Sequence, residues 1–200
     1  MNTPEPEIFP RAPSRAVEYA SHVSTFREKA IATWGVFCVS ALLSQAIFRL
    51  LPRAIEPWTG DGMTTLQGAL YVGCMVVMGY SEGYRAFQLR FSPRVVSRAI
   101  YLGRNPKPVR LVLALFFCMS LFYSTRRQKF VSWGFVFGII ALVVMVRQLS
   151  QPWRGILDGG VVVGLAWGMI AIWVIFVRAL IGHPAPEVPD LPPSAQPTAA

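Results

Sequence analysis

Residues 159–177 read GGVVVGLAWGMIAIWVIFV, a run of 19 residues without Asp, Glu, Lys or Arg. The hydrocarbon core of a bilayer is crossed by a helix of about 20 residues, with a range of roughly 17 to 25. Backbone N–H and C=O groups find no partner in hydrocarbon, so a run of this length in a membrane forms a helix, which pairs them internally. The run therefore predicts a transmembrane helix.

Four more runs without charged residues precede this one, with lengths of 19, 20, 15 and 17 residues. They cover residues 30–48, 62–81, 111–125 and 130–146. The composition agrees, because 54% of the chain is hydrophobic and only 14% is charged, whereas a soluble domain carries about 25% charged residues. We therefore predict an all-α fold, a polytopic helical membrane protein with five transmembrane helices. The predicted spans are about 30–51, 62–81, 109–125, 130–147 and 159–180.

The chain on either side of the membrane domain, residues 30–182, differs in composition from the spans. Residues 1–29 form an N-terminal segment that we expect to be partly disordered, because it begins with a proline-rich stretch. The first apolar run follows a mixed-charge segment and has no small-residue cleavage pattern, so we expect it to stay as a span. Residues 183–200 contain six prolines and predict a disordered tail.

The uneven distribution of basic residues indicates the orientation. Residues 82–110 hold seven of the 19 Lys and Arg residues, and short loops rich in these residues stay in the cytoplasm. We therefore expect this loop and the N-terminus to be cytoplasmic, in a bacterial-type inner membrane. Because the basic residues lie in short loops beside the spans and not in a separate basic domain, nucleic acid is not an expected partner.

The third run, which is the shortest, leaves two topologies open. Five spans place 13 basic residues inside and 6 outside, whereas four spans with a re-entrant third segment place 15 inside and 4 outside. This charge distribution favours four spans. The sequence LVLALFFCMSLFY at 111–123 contains no helix breaker and favours five. We predict five spans, with four spans plus a re-entrant segment as the alternative.

Between the second and third runs, the sequence predicts a short cytoplasmic amphipathic helix. Ser92 suits the N-cap and Pro93 the first helical position, and Gly103 suits the helix end. Arg94 and Arg98 are one turn apart, so they share a face opposite an apolar side. We expect this helix to lie in the membrane interface, with its arginines near the phosphates of anionic lipids.

The same region supplies a candidate site for an anionic lipid or ligand. Its members are Glu82, Arg85, Arg90, Arg94 and Arg98. Guanidinium groups bind phosphates through paired N–H donors, and Glu82 is expected to form an ion pair with Arg85 three residues later. A transport function would require the polar residues near the spans to line a common cavity. Those residues are Gln45, Gln67, Glu82 and Arg147.

Glycines spaced four residues apart predict the packing faces, because helices in lipid associate through close backbone approach. The fifth run contains Gly160, Gly164 and Gly168, and the fourth contains Gly134 and Gly138. We predict that these two runs pack against each other. A homodimer face on the fifth run is the alternative.

The sequence contains no pattern typical of catalysis or of a metal site. Cys38, Cys74 and Cys118 lie within apolar runs and lack metal-site spacing, and Asp158 is expected only to cap the fifth helix. We therefore predict no enzyme activity, metal or cofactor. The expected function is that of a structural or accessory membrane protein that packs with itself or with a larger membrane complex. A small transporter or lipid-handling protein that binds anionic headgroups at residues 82–110 is the alternative.

Overall fold

The computed structural model describes residues 25–59 and 63–183, and every regular element in this part of the chain is helical. The helices, in chain order, are α1 (Phe26–Thr59), α2 (Thr65–Met78), a π-helical segment (Gly79–Phe91), α3 (Ser92–Arg104), α4 (Pro108–Val112), α5 (Ala114–Cys118), α6 (Arg126–Val146) and α7 (Trp153–Leu180). For these residues the all-α prediction is confirmed. The disorder predicted near the two ends falls largely on residues 1–24 and 184–200, which lie outside the described residues.

Three helices, α1, α6 and α7, are long and apolar enough to cross a membrane, and they support the prediction of a transmembrane protein. The second predicted span begins with α2, which starts at a capping box. The Thr64 hydroxyl accepts a hydrogen bond from the Gln67 backbone N–H, and the Gln67 side-chain oxygen accepts one from the Thr64 backbone N–H. Gln67 therefore stabilises a helix start, and α2 continues directly into the π-helical segment.

Helix α7 packs along α2 and the π-helical segment. Gly159 lies against the hydroxyl of Tyr71 in α2, and Gly168 lies against the ring of Phe87 in the π-helical segment. The residue numbers increase together along the two elements, so α7 runs parallel to the second run.

Helix α1 runs in the opposite direction. Pro57, near its end, lies against Gly155 at the start of α7. Ser44, nearer its middle, donates its hydroxyl hydrogen to the sulfur of Met169 over 3.3 Å. The bundle therefore contains α1 antiparallel to both α2 and α7.

The glycine ladder of α7 packs against the second run and not against the fourth. A Cβ added at any of its three glycines would meet atoms of α2 or the π-helical segment, most closely the Phe87 ring at Gly168. Gly134 and Gly138 of α6 have no such neighbour within 4 Å among the described residues. The structure thus differs from the expected pairing of runs four and five. These glycines lie on a different side of α6 from its half-buried residues, about 140° away around the helix.

The third run does not form a single helix. It is divided between α4 and α5 and then enters turns, where Ser120 and Tyr123 have left-handed backbones with φ of 62° and 53°. The structure therefore corrects the prediction of a continuous helix at 109–125. Five uninterrupted helical spans are not present among the described residues, and the irregular third segment agrees with the alternative.

Helix α3 starts at Ser92, but Ser92 is not its N-cap as predicted: the N-cap residue is Phe91, which makes no side-chain cap bond, and α3 follows the π-helical segment without a break. The helix is buried inside the bundle. Of its 13 residues, 11 are buried. Small residues permit this close packing: Gly35 of α1 lies against Ala99, and a Cβ at Gly103 would lie 2.5 Å from the backbone oxygen of Glu28. The expected interfacial amphipathic helix is therefore corrected to a helix of the core.

Asp158 does not cap α7, because that helix begins before it. Its carboxylate lies 3.7 Å from the Nε atom of Arg154, one turn earlier. The N-terminus of α7 is instead bound by Gln151, whose Oε1 accepts from the Gly155 backbone N–H at 3.0 Å and whose Nε2 donates to the Glu56 carboxylate at 2.7 Å. Gln151 therefore connects the start of α7 with the end of α1.

Candidate functional site

A cleft lies where the π-helical segment and α3 approach α6 and the turn after α5. Its volume is about 210 Å³, and two of the five predicted site residues line it together. Its polar lining consists of Arg90, Arg94, Ser120, Gln128 and Ser132. Its apolar lining comes mainly from Phe87, Phe91, Met119, Leu121, Val131 and Val136. We call this the Arg90–Arg94 cleft.

The two arginines come from consecutive helical turns. Arg90 lies near the end of the π-helical segment and Arg94 lies in the first turn of α3, where its Nε donates to the backbone oxygen of Arg90 at 2.6 Å. This bond uses one of the five N–H donors that a guanidinium group carries. Within the described residues, neither side chain has another hydrogen bond or ion pair. Both groups therefore retain donors for a ligand.

Helix α6 contributes a second wall. Gln128, Ser132 and Val136 follow one another at intervals of four, so they share one face of the helix, and all three are half-buried and line the cleft. The polar members lie toward the start of α6 and the apolar member lies one turn deeper. This wall therefore changes from hydrogen-bonding to apolar along its length.

A pair of aromatic rings forms the apolar wall beside the arginines. Phe87 and Phe91 pack edge to face, with ring centroids 5.2 Å apart. Phe87 is buried at 5% exposure, because it lies against Gly168 of α7. The wall is therefore fixed by the core of the bundle.

The charge of the lining determines which ligands the cleft favours. Arg90 and Arg94 contribute two positive charges, and among residues 25–59 and 63–183 no Asp, Glu or His lines the cleft. Guanidinium groups without a carboxylate partner favour an anion, and the adjoining apolar walls favour a ligand with a hydrocarbon portion.

Arg98, predicted as part of the same site, has a different role. It is 1% exposed, and its Nε donates to the backbone oxygen of Phe117 at 2.7 Å. Its Nη2 donates to the backbone oxygens of Phe122 and Tyr123 at 2.8 and 2.9 Å. The guanidinium also lies 4.5 Å from the centroid of the Phe117 ring. Arg98 therefore binds the protein's own backbone.

These bonds explain why the third run leaves the helical conformation. A backbone that turns inside a bundle exposes carbonyl groups that must find donors, and Arg98 supplies three of them. Arg110 adds a second buried cation at 7% exposure, with its guanidinium carbon 4.6 Å from the ring centroid of Tyr123. The apolar third run is thus folded around two arginines and does not form one straight helix.

Glu82 and Arg85 do not join the cleft. The Glu82 side chain lies against Gly164 of α7, Arg85 is exposed, and the ion pair expected between them is not found among the described residues. The polar cavity considered for transport is also not formed by the described residues expected to line it. None of Gln45, Gln67, Glu82 and Arg147 lines the cleft.

Sequence reasoning missed the contribution of α6. Gln128 and Ser132 were not among the candidates, although a glutamine and a serine one turn apart at the start of an apolar run are a detectable signal. What the sequence does not contain is the direction in which this face points, because that depends on how α6 packs.

Comparison with protein-family models, with curated proteins and with solved structures found no match to this chain.

Proposed function

We propose that this protein is a non-catalytic integral membrane protein that binds an anionic amphiphile in the Arg90–Arg94 cleft. The observation that carries the proposal is one cleft in which the described lining combines two guanidinium groups with apolar walls and includes no acidic residue. An anionic headgroup would contact Arg90 and Arg94, and a hydrocarbon chain would extend along the apolar residues. This joins the expected accessory role with lipid binding.

The position of α6 supports a ligand that comes from the membrane. α6 is among the helices apolar enough to cross a bilayer, and most of its surface is exposed in the monomer. A ligand in the lipid phase can therefore reach the cleft beside α6 without crossing water. Arginines at the level of the headgroups are attracted to anionic lipid by about 1 kcal/mol each.

The helix directions support four membrane crossings. α7 is parallel to the second run, so both would cross in the same direction, and the chain between them must cross back once. α6 is the helix of suitable length for that crossing, which leaves the third run, residues 111–125, as a re-entrant segment. Four spans place 15 basic residues on the side of the 82–110 loop and 4 on the other. By the positive-inside rule, that loop and both termini are cytoplasmic in a bacterial-type inner membrane.

Single cysteines in a cysteine-free variant test this topology. Thr59→Cys is expected to react with a membrane-impermeant maleimide in intact cells, whereas Arg127→Cys and His183→Cys should react only after permeabilisation. All three positions are exposed in the structure, so local burial does not prevent labelling. Labelling of Arg127→Cys and His183→Cys from outside would instead establish five spans and contradict the proposal.

Lipid bound to the purified protein tests the cleft. The double variant Arg90→Gln/Arg94→Gln is expected to bind anionic phospholipid at least about tenfold more weakly, because each charge-assisted hydrogen bond contributes about 1.5 to 3 kcal/mol. Native mass spectrometry with added phospholipid measures the affinity. Arg126→Gln/Arg127→Gln is the matched control, since it removes the same charge at exposed positions outside the cleft. An equal loss in both variants would show general charge attraction and would reject the site.

The glycines of α6 favour a second function, as a subunit that packs with itself or with a larger membrane complex. Gly134 and Gly138 are open in the described chain, and glycines at this spacing permit close helix contact in lipid. A stoichiometric partner, or a second copy, recovered after crosslinking in native membranes would support this function. Recovery of the monomer alone would argue against it.

A further inference from the structure

The donors of the Arg90–Arg94 cleft lie on two separate elements, which constrains the headgroup. The arginines belong to the π-helical segment and α3, whereas Gln128 and Ser132 belong to α6. A headgroup held between them needs acceptor oxygens facing both walls. A phosphomonoester has three terminal oxygens, and a phosphodiester has only two that do not bridge.

We infer that the cleft binds the phosphomonoester group of a lipid, such as a diacylglycerol phosphate, in preference to phosphodiester lipids. This inference rests on the proposed function and adds the class of headgroup. A phosphomonoester carries about −1.5 to −2 charges at pH 7, which matches the two positive charges of Arg90 and Arg94. A phosphodiester carries one.

The size of the cleft supports the same choice. Its volume of about 210 Å³ is below the roughly 300 to 1,000 Å³ of sites for drug-sized ligands. A bare phosphate and the first part of a chain require less space than a phosphate that bears a further glycerol or sugar. Phe87, which is buried against α7, limits the space on one side of the cleft.

The backbone around Ser120 indicates that hydrogen bonds within the fold hold this wall of the cleft in place. Ser120 is 3% exposed, lines the cleft and has a left-handed φ of 62°, which is uncommon for a residue other than glycine. The turn that contains it is bound by Arg98 through the backbone oxygens of Phe117 and Phe122. Arg98 is therefore a positioning residue for this wall and does not contact the ligand.

The test compares lipids that share the same acyl chains. The full-length protein in detergent is titrated with phosphatidic acid, phosphatidylglycerol and phosphatidylcholine, and binding is followed by native mass spectrometry. Phosphatidic acid is expected to bind about tenfold more tightly than phosphatidylglycerol, which corresponds to one additional charged contact. Equal or tighter binding of phosphatidylglycerol would overturn this inference and leave the proposed function intact. If neither anionic lipid binds better than phosphatidylcholine, both fail.

Two further measurements identify the source of the selectivity. The second pKa of a phosphomonoester is about 6, so phosphatidic acid loses its second charge at pH 5. Arg90 and Arg94, the charged residues of the described lining, keep theirs. The ratio of the affinities for phosphatidic acid and phosphatidylglycerol should therefore decrease toward unity at pH 5. Gln128→Leu should reduce it at pH 7, whereas Gln148→Leu, an exposed position just after α6, should not. An unchanged preference at pH 5 or in Gln128→Leu would overturn the inference.

Soluble phosphate distinguishes a lipid from a free metabolite. Inorganic phosphate and glycerol 3-phosphate, added at the concentration that saturates binding of phosphatidic acid, are expected to displace little of the lipid, because they make no contact with the apolar walls. Full displacement at equal concentration would overturn the lipid as the ligand and assign the cleft to a soluble phosphomonoester.

Discussion

Arg98→Leu is expected to lower the free energy of unfolding by about 4 kcal/mol. The substitution leaves the buried backbone oxygen of Phe117 and the part-buried oxygens of Phe122 and Tyr123 without the donor that binds them now. A fully buried acceptor without a partner costs about 1 to 3 kcal/mol, and a part-buried one costs less. Part of this loss is offset, because the variant no longer buries a charged group. The offset is smaller than the loss of hydrogen bonds to three carbonyl groups. Denaturant titration in detergent, followed by circular dichroism, measures the change.

Two variants make this prediction specific. Arg94→Leu is the same substitution one turn earlier on α3, at a half-buried position that bonds only within its own helical turn, and it should cost less than about 1 kcal/mol. Arg98→Lys keeps the charge but not the planar fork of donors, so its stability should lie between those of the wild type and Arg98→Leu. Equal stability of Arg94→Leu and Arg98→Leu would contradict the role assigned to Arg98.

Gly168→Ala is expected to destabilise the protein by about 1 to 3 kcal/mol, the range for overpacking in a well-packed core. The added methyl group would overlap the ring of Phe87, which is itself buried and cannot move away without displacing the π-helical segment. Helix propensity alone would favour alanine by nearly 1 kcal/mol, so the observed sign distinguishes packing from propensity. The midpoint of thermal unfolding in detergent provides the measurement.

Gly138→Ala is the matched control for that experiment. It makes the same change in another apolar helix, at a glycine with no atom within 4 Å of the added group, and it should be neutral or slightly stabilising. Gly164→Ala, where the nearest atom would be 3.3 Å away, should have an intermediate effect. Destabilisation of similar size at all three positions would show that contact with the second run does not determine the result.

The sequence contains enough to predict a helical membrane protein but not how its helices pair. The lengths of the apolar runs depend on the bilayer alone, so they can be read without knowledge of neighbours. The ladder of Gly160, Gly164 and Gly168 predicts close packing, and in the structure atoms of the second run lie beside all three glycines. It does not identify the partner helix. The residues that pack on these glycines, such as Phe87, follow no sequence pattern that marks them as partners.

The candidate site was only partly predictable for a related reason. Arg90, Arg94 and Arg98 have the same chemistry and the same spacing of four residues, yet two line a cleft and the third is 1% exposed. The difference arises from carbonyl groups about 20 residues later in the chain, which no local pattern connects to Arg98. Hydropathy likewise cannot separate a third run that crosses the bilayer from one that folds back, since both bury apolar side chains.

The bonds of Arg98 also have a consequence for the order of events during biosynthesis. Arg98 is synthesised before its acceptors at residues 117–123, and at about 5 to 20 residues per second they follow within a few seconds. Until then α3 carries a cation that hydrocarbon does not tolerate. We therefore expect residues 98–123 to fold as one unit, after the first two helices and before α6.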